Sequence, residues 1–472
     1  MEFINYYFGQ HKEKHLLYFV GSFANANTLI SLLQTTSLKE CLLYFEDNAI
    51  KDEYLEELNN KLEERDLSIL KCVSKNEINA STAGGKVFVF DGFANSDEMS
   101  SFAKFKPSKV VGYFFKEFNT FRLWECLKEH CDHIVLSRDF DEYKCETLTW
   151  DKNPETDIEL SVVLPVYNVA SYLEKCYQSI SAWKAPYIEF VFVSDGSPDN
   201  SEEIIKEFAK KDKRVKLLVK PNGGCASARQ YGIDHSKGRY IGLIDPDDFV
   251  EPDMFKKLLS RAMTGTYDIA YSGYYEYYEE SGTSQAIEDV TGKPYSDGTS
   301  DPKLIDDLIA YRRVAIWRGV YRREFLENNN IRFYEDLKRF DDLPFKVETF
   351  ARAKSVVSID EPLYYYRMGR PGQDVSANDE RIFIHFDIFN HLDEFFKNYR
   401  SSLQLRHYYQ VKVQTHFWGI GLLKPEFKKD YIKKASQDLK IKCNASSWKK
   451  VLKKYYRKNE VKNFISENKR YF

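Results

Sequence analysis

No stretch of the chain approaches the roughly 18–20 consecutive apolar residues of a membrane-spanning helix, so no span is expected. The opening residues, MEFINYYFGQHKEKHLLYFVG, carry no basic segment ahead of an apolar run, and no secretory signal is expected either. The eight cysteines include no C-x-x-C; without a signal they are expected to stay reduced. Cys126, His130, Cys131 and His133 match no common zinc spacing. Charge of one sign is also lacking. Sixty-nine basic residues face 72 acidic ones for a formal charge of −3, which argues against a general nucleic-acid binder. Neither G-x-G-x-x-G nor a P-loop occurs. Aromatic residues are plentiful at 15 %, and the 472 residues allow about three domains without disulfide staples. These bounds describe a cytoplasmic globular protein.

Residues 1–150 alternate apolar runs (His15–Val20, Cys41–Phe45, Ser68–Val73, Lys86–Phe90, Lys109–Phe115, His133–Leu136) with helical patterns such as Asp52–Arg65. That alternation predicts a Rossmann-like parallel sheet covered on both faces. Its role stays open between docking or oligomerisation, acceptor binding and a second catalytic domain. Trp150–Ile158 reads as a linker, with 151–158 separating two domains. A second α/β pattern starts at Glu159, with strands at Leu160–Pro165, Ile188–Ser194, Val215–Lys220 and Tyr240–Ile244. Helices are expected at Ser171–Trp183, Ser201–Lys211 and Ala226–His235, and loop or edge structure over Tyr271–Asp301. Beyond 377 the pattern is helical. Residues 424–472 hold 16 Lys/Arg against 5 Asp/Glu. There Trp448, Val451, Leu452, Tyr455 and Tyr456 form an apolar stripe among lysines. The stripe is expected to lie on an anionic membrane surface, the alternative being a helix docked on its own protein.

Three segments carry chemistry. The first, Ser161–Ile180, runs strand, loop, helix and puts Val166, Tyr167 and Asn168 beyond a strand's carboxyl end, where open α/β sheets bind ligands. The second, Glu189–Ser201, delivers Asp195 to a strand end; Ser197 and Asp199 are expected to cap the next helix. In the third, Asn222–Phe249, Gly223 and Gly224 precede a helix bearing Arg229, an arrangement that can face an anion. The same segment then ends a strand in Asp245-Pro246-Asp247-Asp248. Three carboxylates in four residues repel one another unless a cation intervenes, and a hard divalent ion such as Mn²⁺ or Mg²⁺ beside a diphosphate suits them.

Together these segments resemble the family 2 glycosyltransferases of the GT-A fold. The motifs stand here as Pro165–Asn168, Asp195–Asp199, Asn222–Arg229, and Asp245–Asp248 followed by Pro252. Ile316–Leu326, Asn330–Phe345 and Tyr364–Ser376 are similar to further family segments, so the resemblance covers about 159–376. It departs at Ser194, Ala170 and Asp341, none of which removes a metal-binding or base carboxylate. The processive Q-x-x-R-W motif is not evident.

The resemblance implies an inverting transfer of a hexosyl or N-acetylhexosaminyl group from a nucleotide-sugar, the nucleotide expected to be UDP, to a hydroxyl of a bacterial surface glycan. It implies a metal at Asp247, with Asp245 in support or on the ribose, Asp342 as general base, and Asp341 orienting that base or the acceptor. Pro165, Val166, Tyr167, Asn168, Asp195, Asn222, Gly223, Gly224, Arg229, Asp245 and Pro246 would form the nucleotide-sugar site. Arg318, Arg367 and Arg370 would contact diphosphate or acceptor. The expected partners are that donor, a glycan or lipid-linked glycan acceptor, and the cytoplasmic membrane face through 424–472. Alternatives are a non-catalytic glycan-binding scaffold and a sugar-1-phosphate transferase.

Overall fold

The computed structural model describes residues 158–264, 267–287, 289–292, 295–369, 377–398 and 401–472. Before these it describes mainly 15–20, 38–46, 50–79, 86–91, 109–114, 133–141 and 144–151. The chain forms two units: Met1–Asp157 with Met263–Thr266, and Ile158–Ala262 with Tyr267–Phe472. Cys126, His130, Cys131 and Arg370 lie outside the described residues.

In the first unit β1 (His15–Val20), β2 (Glu40–Phe45), β3 (Leu70–Cys72), β4 (Val87–Asp91), β5 (Lys109–Phe114), β6 (His133–Asp141) and β7 (Lys144–Asp151) form one sheet. Its order is β3-β2-β1-β4-β5-β6-β7. Every pairing is parallel except β6 with β7. Leu16 through Val20 are all buried, as a central strand covered on both faces requires. The antiparallel β7 takes up residues expected to start the linker; the six strands before it keep the Rossmann order.

The second unit is a curled mixed sheet. Its strands are β8 (Leu160–Val166), β9 (Ile188–Asp195), β10 (Val215–Lys220), β11 (Tyr240–Leu243), β12 (Phe249–Val250), β13 (Ile269–Tyr278), β14 (Thr283–Ile287), β15 (Gly319–Arg322) and β16 (Val356–Met368). The order is β10-β9-β8-β11-β15-β13-β16-β12, with β14 on β13. The strands β10, β9, β8 and β11 are mutually parallel, so their carboxyl ends share one edge. Helix α1 (Ala170–Ser181) follows β8 and α2 (Ser201–Lys211) follows β9. Asp199 caps both: Oδ2 accepts from the N–H of Ala170 at 2.9 Å and Oδ1 from that of Ser201 at 3.1 Å. Helix α3 (Cys225–Asp234) lies so close to the sheet that a Cβ on Gly232 would stand 2.4 Å from Val163.

Two expectations are corrected here. Residues 269–278 are no edge: β13 sits between β15 and β16, with Ile269 to Tyr274 buried. The run Y-S-G-Y-Y-E-Y-Y looks polar, but tyrosine suits a half-buried strand. The aromatic stripe of the basic tail is not a membrane face. Among the later helices of this unit are α4 (Asp342–Arg352), α5 (Ile384–Asn398), α6 (Ser402–Leu422), α7 (Pro425–Asp438), α8 (Ala445–Leu452) and α9 (Lys458–Asn468). Trp448, Val451 and Leu452 of α8 are buried in a core with Val461 and Phe464 of α9, and the indole N–H of Trp448 donates to Ser436 Oγ at 2.9 Å. Burying that stripe removes far more apolar area from water than leaving it open. Lys449, Lys450, Lys453 and Lys454 stay exposed on the other face.

Candidate active site

The shared strand edge opens into a cleft of about 890 Å³. Pro165, Val166, Tyr167 and Asn168 line it after β8, Asp195 after β9, and Asp245, Pro246 and Asp247 after β11. Asn222, Gly224 and Arg229 come from the loop and helix between β10 and β11, and Asp341 and Asp342 from the start of α4. Asn168 takes a left-handed backbone, φ 54°, and its N–H donates to Ser197 Oγ at 2.8 Å. Strained positions of this kind gather at ligand sites.

Asp195 holds a loop. Its Oδ1 accepts from Lys220 Nζ at 2.7 Å and from the N–H of Gly223 at 2.9 Å, and its Oδ2 from the N–H of Gly224 at 2.7 Å. Gly224 has φ 93°, which a side chain would resist. Gly223 serves the site through this backbone bond and is not part of the cleft wall. Ser227 Oγ donates to Glu335 at 2.8 Å and Lys338 Nζ to the Gly223 carbonyl at 2.7 Å, so the segment before α4 closes over the same loop.

Arg229 is 5 % exposed and joins two carboxylates: Nη2 meets Asp245 at 2.5 Å and Nη1 meets Asp341 at 2.7 Å. Asp341 is itself buried, its carboxyl raised by burial and lowered by the guanidinium. Asp342 is partly open to the cleft. Burial first, then the neighbouring Asp341 charge, pushes its carboxyl up to about 7. A carboxylate poised there suits a general base.

The acidic run does not keep its charges together. Asp248 turns inward, accepting from Tyr364 OH at 2.7 Å and from the N–H of Arg367 at 2.7 Å, and its carboxyl is raised well above the ordinary range by burial and by Asp247 and Asp245. That leaves Asp245 and Asp247 in the cleft. Arg367 is buried behind the run, donating from Nε to the Asp247 carbonyl at 2.6 Å and pairing with Glu279. Arg318 is fully buried and paired with Asp289. Neither guanidinium lines the cleft; both are enclosed by aromatic rings, Tyr274 beside Arg318 and Tyr172 beside Arg367.

Several lining residues were not singled out as site residues from the sequence. Trp317 stacks on Tyr364 at 4.0 Å and on Tyr366 at 5.3 Å, and meets Tyr274 edge-on at 5.2 Å. Tyr274 and Glu276 reach the cleft from β13. Their i, i+2 spacing was the available signal, hidden by reading that segment as loop. Arg313, Val314, Lys338, Arg339, Phe340 and Trp418 line the cleft as well. Trp418 sits on α6, whose sequence shows no one-sided apolar face to draw attention to it.

A curled α/β sheet that gathers carboxylates at its strand ends in this way is a GT-A fold. The model of the family described as "Glycosyl transferase family 2" matches residues 161–351. The uncharacterized glycosyltransferase YibD of Escherichia coli is 30 % identical over 52 % of this chain and 74 % of its own length. The uncharacterized glycosyltransferase EpsJ of Bacillus subtilis is 34 % identical over 44 % of this chain. The chain spans 60 % of the length of EpsJ. Residues 1–349 of Staphylococcus aureus TarS, solved with UDP-GlcNAc, superpose with a TM-score of 0.50 at 18 % identity, over 66 % of this chain and 92 % of that one. The chain belongs to glycosyltransferase family 2.

Proposed function

We propose that the chain moves a glycosyl group, with inversion, from a nucleotide-sugar to a hydroxyl of a bacterial surface glycan. The observation that carries this is one cleft holding Asp245 and Asp247 on one side and Asp341 and Asp342 on the other, joined through Arg229. In the step, the acceptor oxygen bonds to the anomeric carbon as the bond from that carbon to the β-phosphate oxygen breaks. The nucleoside diphosphate leaves with the electron pair. Asp342 takes the acceptor's proton on the face opposite the leaving group, and Asp341, fixed by Arg229, holds that carboxylate in place. The donor's nucleotide lies along Tyr167, Asn168, Asp195 and the Asn222–Gly224 loop. A UDP-sugar is the reading that the UDP-GlcNAc complex of TarS supports.

The residues fit Mn²⁺ or Mg²⁺. Asp248 is turned away to Tyr364 and Arg367, while Asp245 and Asp247 both face the cleft and offer two carboxylates to one ion. Asp245 and Asp247 would hold the ion, and diphosphate oxygens suit its remaining positions. Such an ion supplies charge stabilisation to the leaving diphosphate.

The test is nucleotide release from UDP-, GDP- and dTDP-sugars with Mn²⁺ or Mg²⁺, with Asp247→Ala and Asp342→Asn alongside. One donor turned over by the wild type alone supports the reading. Silence across donors, with no thermal shift from UDP plus Mn²⁺, points instead to a non-catalytic glycan-binding scaffold.

A further inference from the structure

Trp418 is 39 % exposed on the cleft wall, and no motif accounts for it. It comes from α6, outside the 161–351 match. Its ring meets Phe340 edge-on at 5.9 Å and His385 at 5.7 Å, so it is held and not loose. An open indole face at a site rim suits the C–H face of a sugar ring.

The cleft does not stop there. Lys338 and Arg339 line both it and an adjoining groove of about 370 Å³, which shares Glu380, Phe383 and Lys434 with a further groove of about 500 Å³. Across these two grooves, five basic residues (Lys338, Arg339, Arg381, Lys433, Lys434) meet three acidic ones (Glu380, Asp387, Asp430), and Arg381 is also paired with Asp379 at 2.7 Å, so the excess rests on the lysines and Arg339. Lys434 Nζ lies over the rings of Phe383 and Phe386 at 5.2 and 5.8 Å, which fixes an exposed ammonium where it can meet a ligand. The groove also borders the 424–472 segment with its 16 basic and 5 acidic residues, in a chain whose formal charge is −3. A positive path leading out of a cleft draws a negative ligand along it.

We propose that the acceptor runs over Trp418 and out along the Lys338–Arg339–Arg381–Lys434 groove, and that it is an extended anionic saccharide, bearing phosphodiester or uronate groups. This rests on the glycosyl-transfer reading and names its acceptor class.

The experiment is binding of the full chain to three probes of matched length: phosphodiester-linked oligomannose, oligogalacturonate and neutral dextran. Preference for either or both anionic probes is expected, and which of them binds identifies the source of the charge. Trp418→Ala and Lys434→Glu should each weaken it about tenfold, and raising salt should weaken it further. Lys450→Glu with Lys454→Glu, exposed and outside the groove, controls for charge alone and should keep the affinity; melting temperatures check each fold. Dextran binding as tightly as both anionic chains, or variants in the groove with unchanged affinity, would overturn the proposal. So would phosphatidylglycerol vesicles binding through Lys434 while the saccharides stay silent. A UDP thermal shift on the wild type separates the two readings. A shift without saccharide binding removes the groove alone; saccharide binding with no shift from UDP, GDP or dTDP plus Mn²⁺ and no donor turned over removes the glycosyl-transfer reading, and with it the acceptor role of the groove.

Discussion

Arg229 and Asp341 stand 112 positions apart in sequence and meet at 2.7 Å with both side chains about 6 % exposed. The same guanidinium holds Asp245 at 2.5 Å. One residue therefore fixes the distance between the proposed metal-side and base-side carboxylates. Arg229→Lys keeps the charge but cannot hold two carboxylates in one planar fork. Turnover should fall about 100-fold, and the melting temperature should drop as the buried Asp341 loses its partner and the half-buried Asp245 loses part of its own.

Asp342 sets a pH dependence. If it is the proposed base, it acts in its ionised form, so log kcat/KM should rise with pH and level off above about 7. Stability should move the other way. Between about 4 and 7 the folded carboxyl keeps its proton while the unfolded one has lost it. The native state then binds more protons, so stability falls as pH rises through that window. Asp342→Asn should lose turnover by about 100-fold or more, yet melt higher than the wild type at pH 8 and equal to it at pH 4. A variant melting lower at pH 8 would contradict this.

Lys346 offers a contrast outside the cleft. It is buried, its amine donates to the Ile309 carbonyl, and burial, with Arg312 and Arg318 nearby, pulls its pKa well below the ordinary value. The unfolded lysine binds a proton up to about pH 10, so this site makes stability rise with pH. Lys346→Met should raise the melting temperature at pH 7, with the gain shrinking toward pH 10 in differential scanning calorimetry.

The basic tail can be tested as core. Trp448 is fully buried, so Trp448→Ala should cost about 3–5 kcal/mol, read by urea unfolding. Deleting 448–472 should destabilise the C-terminal helices and not merely detach the protein from a surface.

Most of the strand-end chemistry was legible because it is local. A β-branched run ending in Asp195 or Asp245, and a Gly-Gly before a helix, specify their own geometry. What was not legible depended on partners distant in sequence. Nothing near Arg318 or Arg367 shows that Asp289 and Glu279 will pair with them away from the cleft. Nothing in the spacing of Asp245, Asp247 and Asp248 says that Tyr364, 116 residues on, takes the last of them out of the cleft. The tail misled for the same reason. A helix with one apolar face fits a bilayer or a neighbouring helix equally well, and only tertiary packing decides.

Phe340 sits in the left-handed region at φ 53°, immediately before Asp341 and Asp342, with its ring packed against His385 of α5 and Trp418 of α6. A bulky residue holds that conformation only where its surroundings force it. The aspartate pair is thus set by helices that follow it in the chain. Exchanging the C-terminal helices between relatives would therefore transplant part of the proposed catalytic geometry along with them. A chimera joined near residue 377 would have to carry a matched residue 340 to recover its rate.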